Sequence, residues 1–167
     1  MSRPRSIALI SIALGLVALG IAVGSEHFLG LIPCALCYVE RWPYRIAIAV
    51  GVVALVLPKQ LARLACWLLV LIFLAGAVAA FVHVGVEQHW WVSPMPECTA
   101  PNLSGLSPAE RFARMPLRPA KACEDADYLI PAIPISMTQA NLIYALASAA
   151  LVAMLLFRAP SRSRRYR

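Results

Sequence analysis

Charge is what this sequence has least of. Asp, Glu, Lys and Arg make up 14% of its 167 residues, against 61% hydrophobic residues. Soluble domains carry about 25% charged and 45–50% apolar residues. A chain this short cannot hide so much apolar surface in one core. Disorder is excluded too, because it requires low hydrophobicity. The sequence has no internal repeat, and no low-complexity tract other than the Arg/Ser-rich stretch 158–167, expected to be a disordered basic tail. A membrane protein remains. The net charge of +7 is not a nucleic-acid signal, because most basic residues flank apolar runs, where they orient membrane helices.

Four apolar stretches stand out: Ile7–Gly24, Ile46–Leu57, Leu64–Val86 and Asn141–Phe157. A bilayer core of about 30 Å needs roughly 20 residues per helix. The second stretch reaches that length only by starting near Tyr38 or earlier, which puts Arg41 and Arg45 at the interface with snorkelling side chains. Expected spans are therefore about 7–24, 38–57, 64–86 and 138–157, within one membrane domain covering 1–167. The expected fold is all-α: an antiparallel four-helix transmembrane bundle, since in lipid each backbone group must be satisfied internally. Ala22-Val23-Gly24 loosely fits a signal-peptidase site. The apolar run before it exceeds the usual 7–15 residues of a signal peptide, so a retained anchor is the reading.

Acidic residues are missing from one whole side. Arg3, Arg5, Lys59, Arg63, Arg158, Arg162, Arg164, Arg165 and Arg167 fall together without an acid. The other side carries Arg41, Arg45, Arg111, Arg114, Arg118 and Lys121. It also holds every acid: Glu26, Glu40, Glu87, Glu97, Glu110, Glu124, Asp125 and Asp127. Both termini are thus expected in the cytoplasm, with outer loops at about 25–37 and 87–137. Trp42, Tyr44, Trp90 and Trp91 stand where an outer aromatic belt would form.

This topology places Cys34, Cys37, Cys98 and Cys123 outside, where cysteines pair. Cys66 falls inside the third span and reads as a small buried hydrophobe. Cys34-Ala35-Leu36-Cys37 is a C-x-x-C. A bridge across so short a loop restricts little chain entropy, so reversible dithiol chemistry is favoured over a structural disulfide. A zinc site needs two more ligands, and Cys98 and Cys123 form no second C-x-x-C. Haem attachment needs His at position 38, which is Tyr. Pro33 suits a helix start, where the macrodipole favours a thiolate. Arg41, four residues after Cys37, shares its face on a continuous helix. It could stabilise an anion or merely anchor the interface, and Pro43 could kink or begin the span.

Cys98 and Cys123 have 24 residues between them, within an outer loop long enough to be functional. Ser93-Pro94-Met95-Pro96-Glu97 and Pro101 give stiff, extended chain that a partner could engage; a loop-stapling disulfide is the plainer reading. Ser107-Pro108-Ala109-Glu110 reads as a capping box opening a short helix to Met115. Phe112 and Met115 lie on one face and Arg111 and Arg114 on another, so the helix could lie on the membrane surface. His83, Glu87 and His89 close the third span. His83 and Glu87 share a face and read either as a polar cap or as a functional pair.

With these residues in view, the chain resembles the disulfide bond formation protein B (DsbB) family, quinone-linked thiol oxidases of the bacterial inner membrane. The resemblance covers nearly the whole length: four spans, Pro33-Cys34-x-x-Cys37 opening the second, Arg41 after it, and a long outer loop with Cys98 and Cys123. It implies that Cys98–Cys123 is the disulfide that oxidises a periplasmic thioredoxin-like (DsbA-like) partner, with Cys98 forming the mixed disulfide. Electrons would pass to Cys34–Cys37. Cys37 would then engage ubiquinone or menaquinone, with Arg41 stabilising the charged state and His83 and Glu87 at the edge of the quinone site. No metal ligand is implied. Two other readings remain: a four-span C-x-x-C quinone or epoxide reductase, and a non-catalytic scaffold with structural disulfides.

Overall fold

Each of the four charge-poor stretches forms one long α-helix. The computed structural model describes residues 3–95, 98, 105, 107–110, 121–129 and 134–158. Helix α1 spans Arg3–Leu29 and α2 Ala35–Val56. Helix α3 spans Lys59–Glu87 and α4 Met137–Phe157. No strand occurs among the described residues; Tyr128 and Ser136 make one isolated antiparallel bridge. The protein is all-α, and α1, α3 and α4 are each long and apolar enough to cross a membrane. Helix α2 falls short on composition because it carries Glu40, Arg41 and Arg45.

The helix ends follow from local chemistry. Gly30, at φ 67°, turns the chain after α1 in a conformation that costs glycine little. Leu57 is extended ahead of Pro58, as the residue before proline tends to be, and α2 stops there. Ser136 and Gln139 cap α4 reciprocally. Ser107 and Glu110 make the expected capping box, Glu110 N–H donating to Ser107 Oγ and Ser107 N–H and Oγ–H to Glu110 Oε2. The rest of the expected short helix, with Arg111, Phe112, Arg114 and Met115, lies outside the described residues. So do Pro96, Glu97, Pro101, Arg118 and the tail from 159.

Helix α2 begins at Ala35, ahead of the 38–57 span, and Cys37 sits in its first turn, at the helix start that Pro33 suits. Pro43 neither begins nor interrupts it. Its ring packs where α3 has Gly76, a site at which a Cβ would meet Pro43 Cβ at 3.2 Å. Tyr44 is not in an aromatic belt: it is 4% exposed, between Phe73 and Tyr144. Trp42, Trp90 and Trp91 are exposed as such a belt requires.

Helix α1 packs on α2, α2 on α3, and α3 on α4. Small residues let α1 and α2 approach closely. A Cβ on Gly15 would come within 2.8 Å of Ile48, and one on Gly51 within 2.7 Å of Ile12. Membrane helices pack through such small residues, because lipid tails compete with any large apolar contact. The core gathers Tyr44, Leu69, Phe73, Val152 and Leu156, with Cys66 buried beside them. Leu16, Val53, Leu71, Val78 and Ile143 point outward and exposed, an apolar surface that water would not tolerate on a soluble protein.

Candidate functional site

Pro33 leads into α2, and Cys34 caps it. The Cys37 backbone N–H donates to Cys34 Sγ at 3.2 Å, a thiol standing where Ser or Asp usually caps. The two sulfurs lie 2.8 Å apart, and both cysteines are free thiols. The Cys37 side chain and that backbone N–H, both bonded to Cys34 Sγ, hold the Cys34 thiol below its ordinary range, against burial, which pushes it up. Cys34 is thus the thiolate-prone member of the pair.

His83 reaches this dithiol from α3. Its Nε2 is 3.5 Å from Cys34 Sγ, and its Nδ1 is 2.6 Å from Glu40 Oε1. A carboxylate so close fixes the ring proton on Nδ1, which leaves Nε2 of the neutral ring able to accept. Asn141 Nδ2 donates to Glu40 Oε2 at 2.6 Å, and Tyr44 O–H donates to Asn141 Oδ1 at 2.6 Å. One polar chain thus runs from the thiol through α3 and α2 to α4. His83 is 2% and Glu40 7% exposed, so both are packed inside the helix bundle.

Arg41 is also buried rather than snorkelling, and its guanidinium pairs with the Glu26 carboxylate of α1. It stacks over the Tyr38 ring at 4.8 Å. Among the described residues its Nε is the buried side-chain nitrogen without a hydrogen-bond partner. Arg45, by contrast, is exposed and lies over Trp42.

Beside these groups lies a cavity of about 230 Å³. Its polar lining includes Cys34, Cys37, Arg41 and His83 with the acids Glu26, Glu40, Asp125 and Asp127, and Ala18, Leu19, Ile21 and Ala22 of α1 form part of its apolar wall. Such a shape, apolar with a few convergent polar groups, is that of a small-molecule site. Glu87 does not line it. Its carboxylate accepts from Thr138 Oγ1, and Thr138 and Ser136 line the cavity instead. His89 turns the chain after α3, at φ 58°, and joins no part of the dithiol.

Cys98 and Cys123 form a disulfide. Both are buried, and they share one apolar cluster with Cys34, Leu36 and Val86, against which Ala35, Cys37 and Met95 pack. The four cysteines predicted to carry chemistry are brought together, while Cys66 stays apart, its thiol donating to Pro4 O. Sequence reading missed Glu40, Glu26, Asn141 and Tyr44 as site residues. Apart from Tyr44, the available signal was an ionisable or amide group next to an apolar span.

A helical chain with membrane-length helices and two adjoining cysteine pairs is a membrane thiol–disulfide protein. The family model "Disulfide bond formation protein DsbB" matches residues 4–155, and the chain belongs to that family. It is an oxidoreductase acting on disulfides, of a multi-pass inner-membrane family. The chain is also similar to the uncharacterized protein RP370 of Rickettsia prowazekii (strain Madrid E), with 27% identity across 93% of this chain and 89% of the relative. No solved structure gives a significant match.

Proposed function

We propose that the protein is a thiol oxidase that regenerates a periplasmic thioredoxin-like disulfide donor and sends the electrons to membrane ubiquinone or menaquinone. The observation that carries this reading is the shared cluster: the Cys98–Cys123 pair packed against the Cys34/Cys37 pair, which lines an apolar cavity. His83, held by Glu40 and aimed at Cys34 Sγ, speaks against a scaffold whose cysteines serve only as staples.

The residues fit a quinone. The apolar wall suits a ring and tail, and Arg41, a buried cation with an unpartnered Nε, is among the lining residues. Arg41, Cys37 and His83 would hold it, with Glu87 acting at the edge through Thr138. When bound, the quinone supplies a two-electron, two-proton acceptor.

The chain's own steps are thiol–disulfide exchanges. A partner thiolate attacks Cys98 Sγ, and Cys123 leaves as a thiolate. The partner's second thiol resolves the mixed disulfide, leaving the partner oxidised and Cys98 and Cys123 reduced. That dithiol then reduces a Cys34–Cys37 disulfide and is itself reoxidised. His83 Nε2 takes the proton from the Cys34 thiol, and Glu40 stabilises the imidazolium that forms. Arg41, which lines the same cavity, would balance the negative charge that develops when Cys37 engages the quinone.

The whole reads as an antiparallel four-helix transmembrane bundle. Termini inside and cysteine pairs outside follow from the basic residues flanking the spans. The test is quinone absorbance after mixing purified protein with reduced thioredoxin-like partner and quinone. Quinone loss that stops in Cys37→Ser and in Cys98→Ser supports the scheme. Wild-type turnover in both variants overturns it.

A further inference from the structure

We propose that the reduced inner site is also a redox-gated binding site for a thiophilic divalent cation of the zinc class, ligated by Cys34 Sγ, Cys37 Sγ and His83 Nε2. These three atoms lie within 4.8 Å of one another. Spacing within the sequence offered only two ligands; the third arrives from α3, 49 positions beyond Cys34.

The geometry is close to what zinc needs. Zinc bonds of about 2.3 Å to sulfur and 2.0–2.1 Å to nitrogen set tetrahedral edges of about 3.6 Å between S and N and about 3.8 Å between two sulfurs. The Cys34–His83 edge is already present at 3.5 Å, and the Cys37–His83 edge lies within 4.8 Å. The sulfur–sulfur edge must open from 2.8 Å by roughly 1 Å, which a modest χ1 rotation of Cys37 provides.

The surroundings are those of a metal-binding histidine. Such a ring typically donates its other N–H to a carboxylate, which fixes the tautomer and aims the ligating nitrogen. Glu40 does this for His83, and Asn141 holds Glu40 in turn. The adjoining cavity leaves the fourth position to water.

Binding balances without redox change. Two thiols lose their protons to solvent, both sulfurs coordinate as thiolates, and neutral His83 donates its Nε2 lone pair. The Cys34–Cys37 disulfide has no thiolate to offer, so cation and disulfide exclude each other. On the proposed oxidase reading, a bound cation would hold the electrons in the inner pair.

Cobalt(II) is the probe, titrated into chelator-treated, full-length protein carrying Cys66→Ser, Cys98→Ser and Cys123→Ser. Reduced protein is expected to bind one cobalt per chain with thiolate charge-transfer and tetrahedral visible bands. The same sample with Cys34–Cys37 oxidised should show neither, and it has the same sequence, so misfolding cannot account for the difference. His83→Ala should abolish the tetrahedral bands, and Glu40→Gln should weaken binding about 10–100-fold. Equal binding by oxidised protein, unchanged bands in His83→Ala, or an octahedral spectrum would overturn the proposal. Because nothing turns over in this titration, its failure is separable from failure of the quinone assay.

Discussion

His83 Nε2 rests 3.5 Å from Cys34 Sγ while His83 Nδ1 is held 2.6 Å from Glu40. An imidazole clamped in this way can take a thiol proton without rotating. The reacting sulfur, its base and the base's orienting carboxylate come from a helix cap, α3 and α2.

The Cys34 thiol should titrate below the usual range near 8.5. Its alkylation rate in reduced, chelator-treated Cys66→Ser protein should rise through that lowered pKa and level off above it, because only the thiolate reacts. Cys37→Ala removes the largest cause of the lowering and should shift the inflection upward. An inflection unmoved by Cys37→Ala contradicts the assignment.

Arg41→Met should slow quinone use far more than single-turnover oxidation of the partner, since Arg41 lines the cavity and the Cys98–Cys123 disulfide does not. Equal loss in both half-reactions would remove Arg41 from its assigned place. Glu26→Gln leaves the Arg41 charge less well paired. A cost of about 1–2 kcal/mol is expected, below the 3–5 kcal/mol of a fully buried pair, because Glu26 is partly exposed.

The polar chain should behave as a graded series in thermal unfolding. Asn141→Leu strips Glu40 Oε2 of its donor and should cost about 1–3 kcal/mol. Tyr44→Phe removes a bond one step further out and should cost less, about 0.5–1.5 kcal/mol. The reverse order would mean that Glu40 is not the group the chain supports.

Gly15→Val should destabilise by about 1–3 kcal/mol, since a side chain there meets Ile48 and the Tyr44 carbonyl and forces α1 from α2. Gly20→Val, on the same helix with nothing within 4 Å of its Cβ, is the control. Similar losses in both would point to glycine chemistry rather than close packing.

Residues with local meaning were the legible ones. Cys34, Cys37 and Arg41 announce themselves by spacing on one helix, and the apolar lengths announce α1, α3 and α4. Glu40 was not legible as a site residue, because its partners lie 43 and 101 positions away and only packing brings them near. Tyr44 sits beside Trp42 and Arg45 in sequence and so reads as an interface residue. In the fold its position on the helix turns it inward. Helix α2 was hard to delimit for the same reason: Glu40 and Arg41 look like water-facing residues, yet they are buried because Glu26, His83 and Asn141 compensate them.

Quinol counting tests the central claim most directly. Protein, excess quinone and a measured amount of reduced thioredoxin-like partner are mixed without oxygen, and quinol and partner disulfide are both quantified. The account predicts one quinol per partner disulfide, the two-electron balance of a relay through both cysteine pairs. Partner disulfide appearing without matching quinol would contradict it.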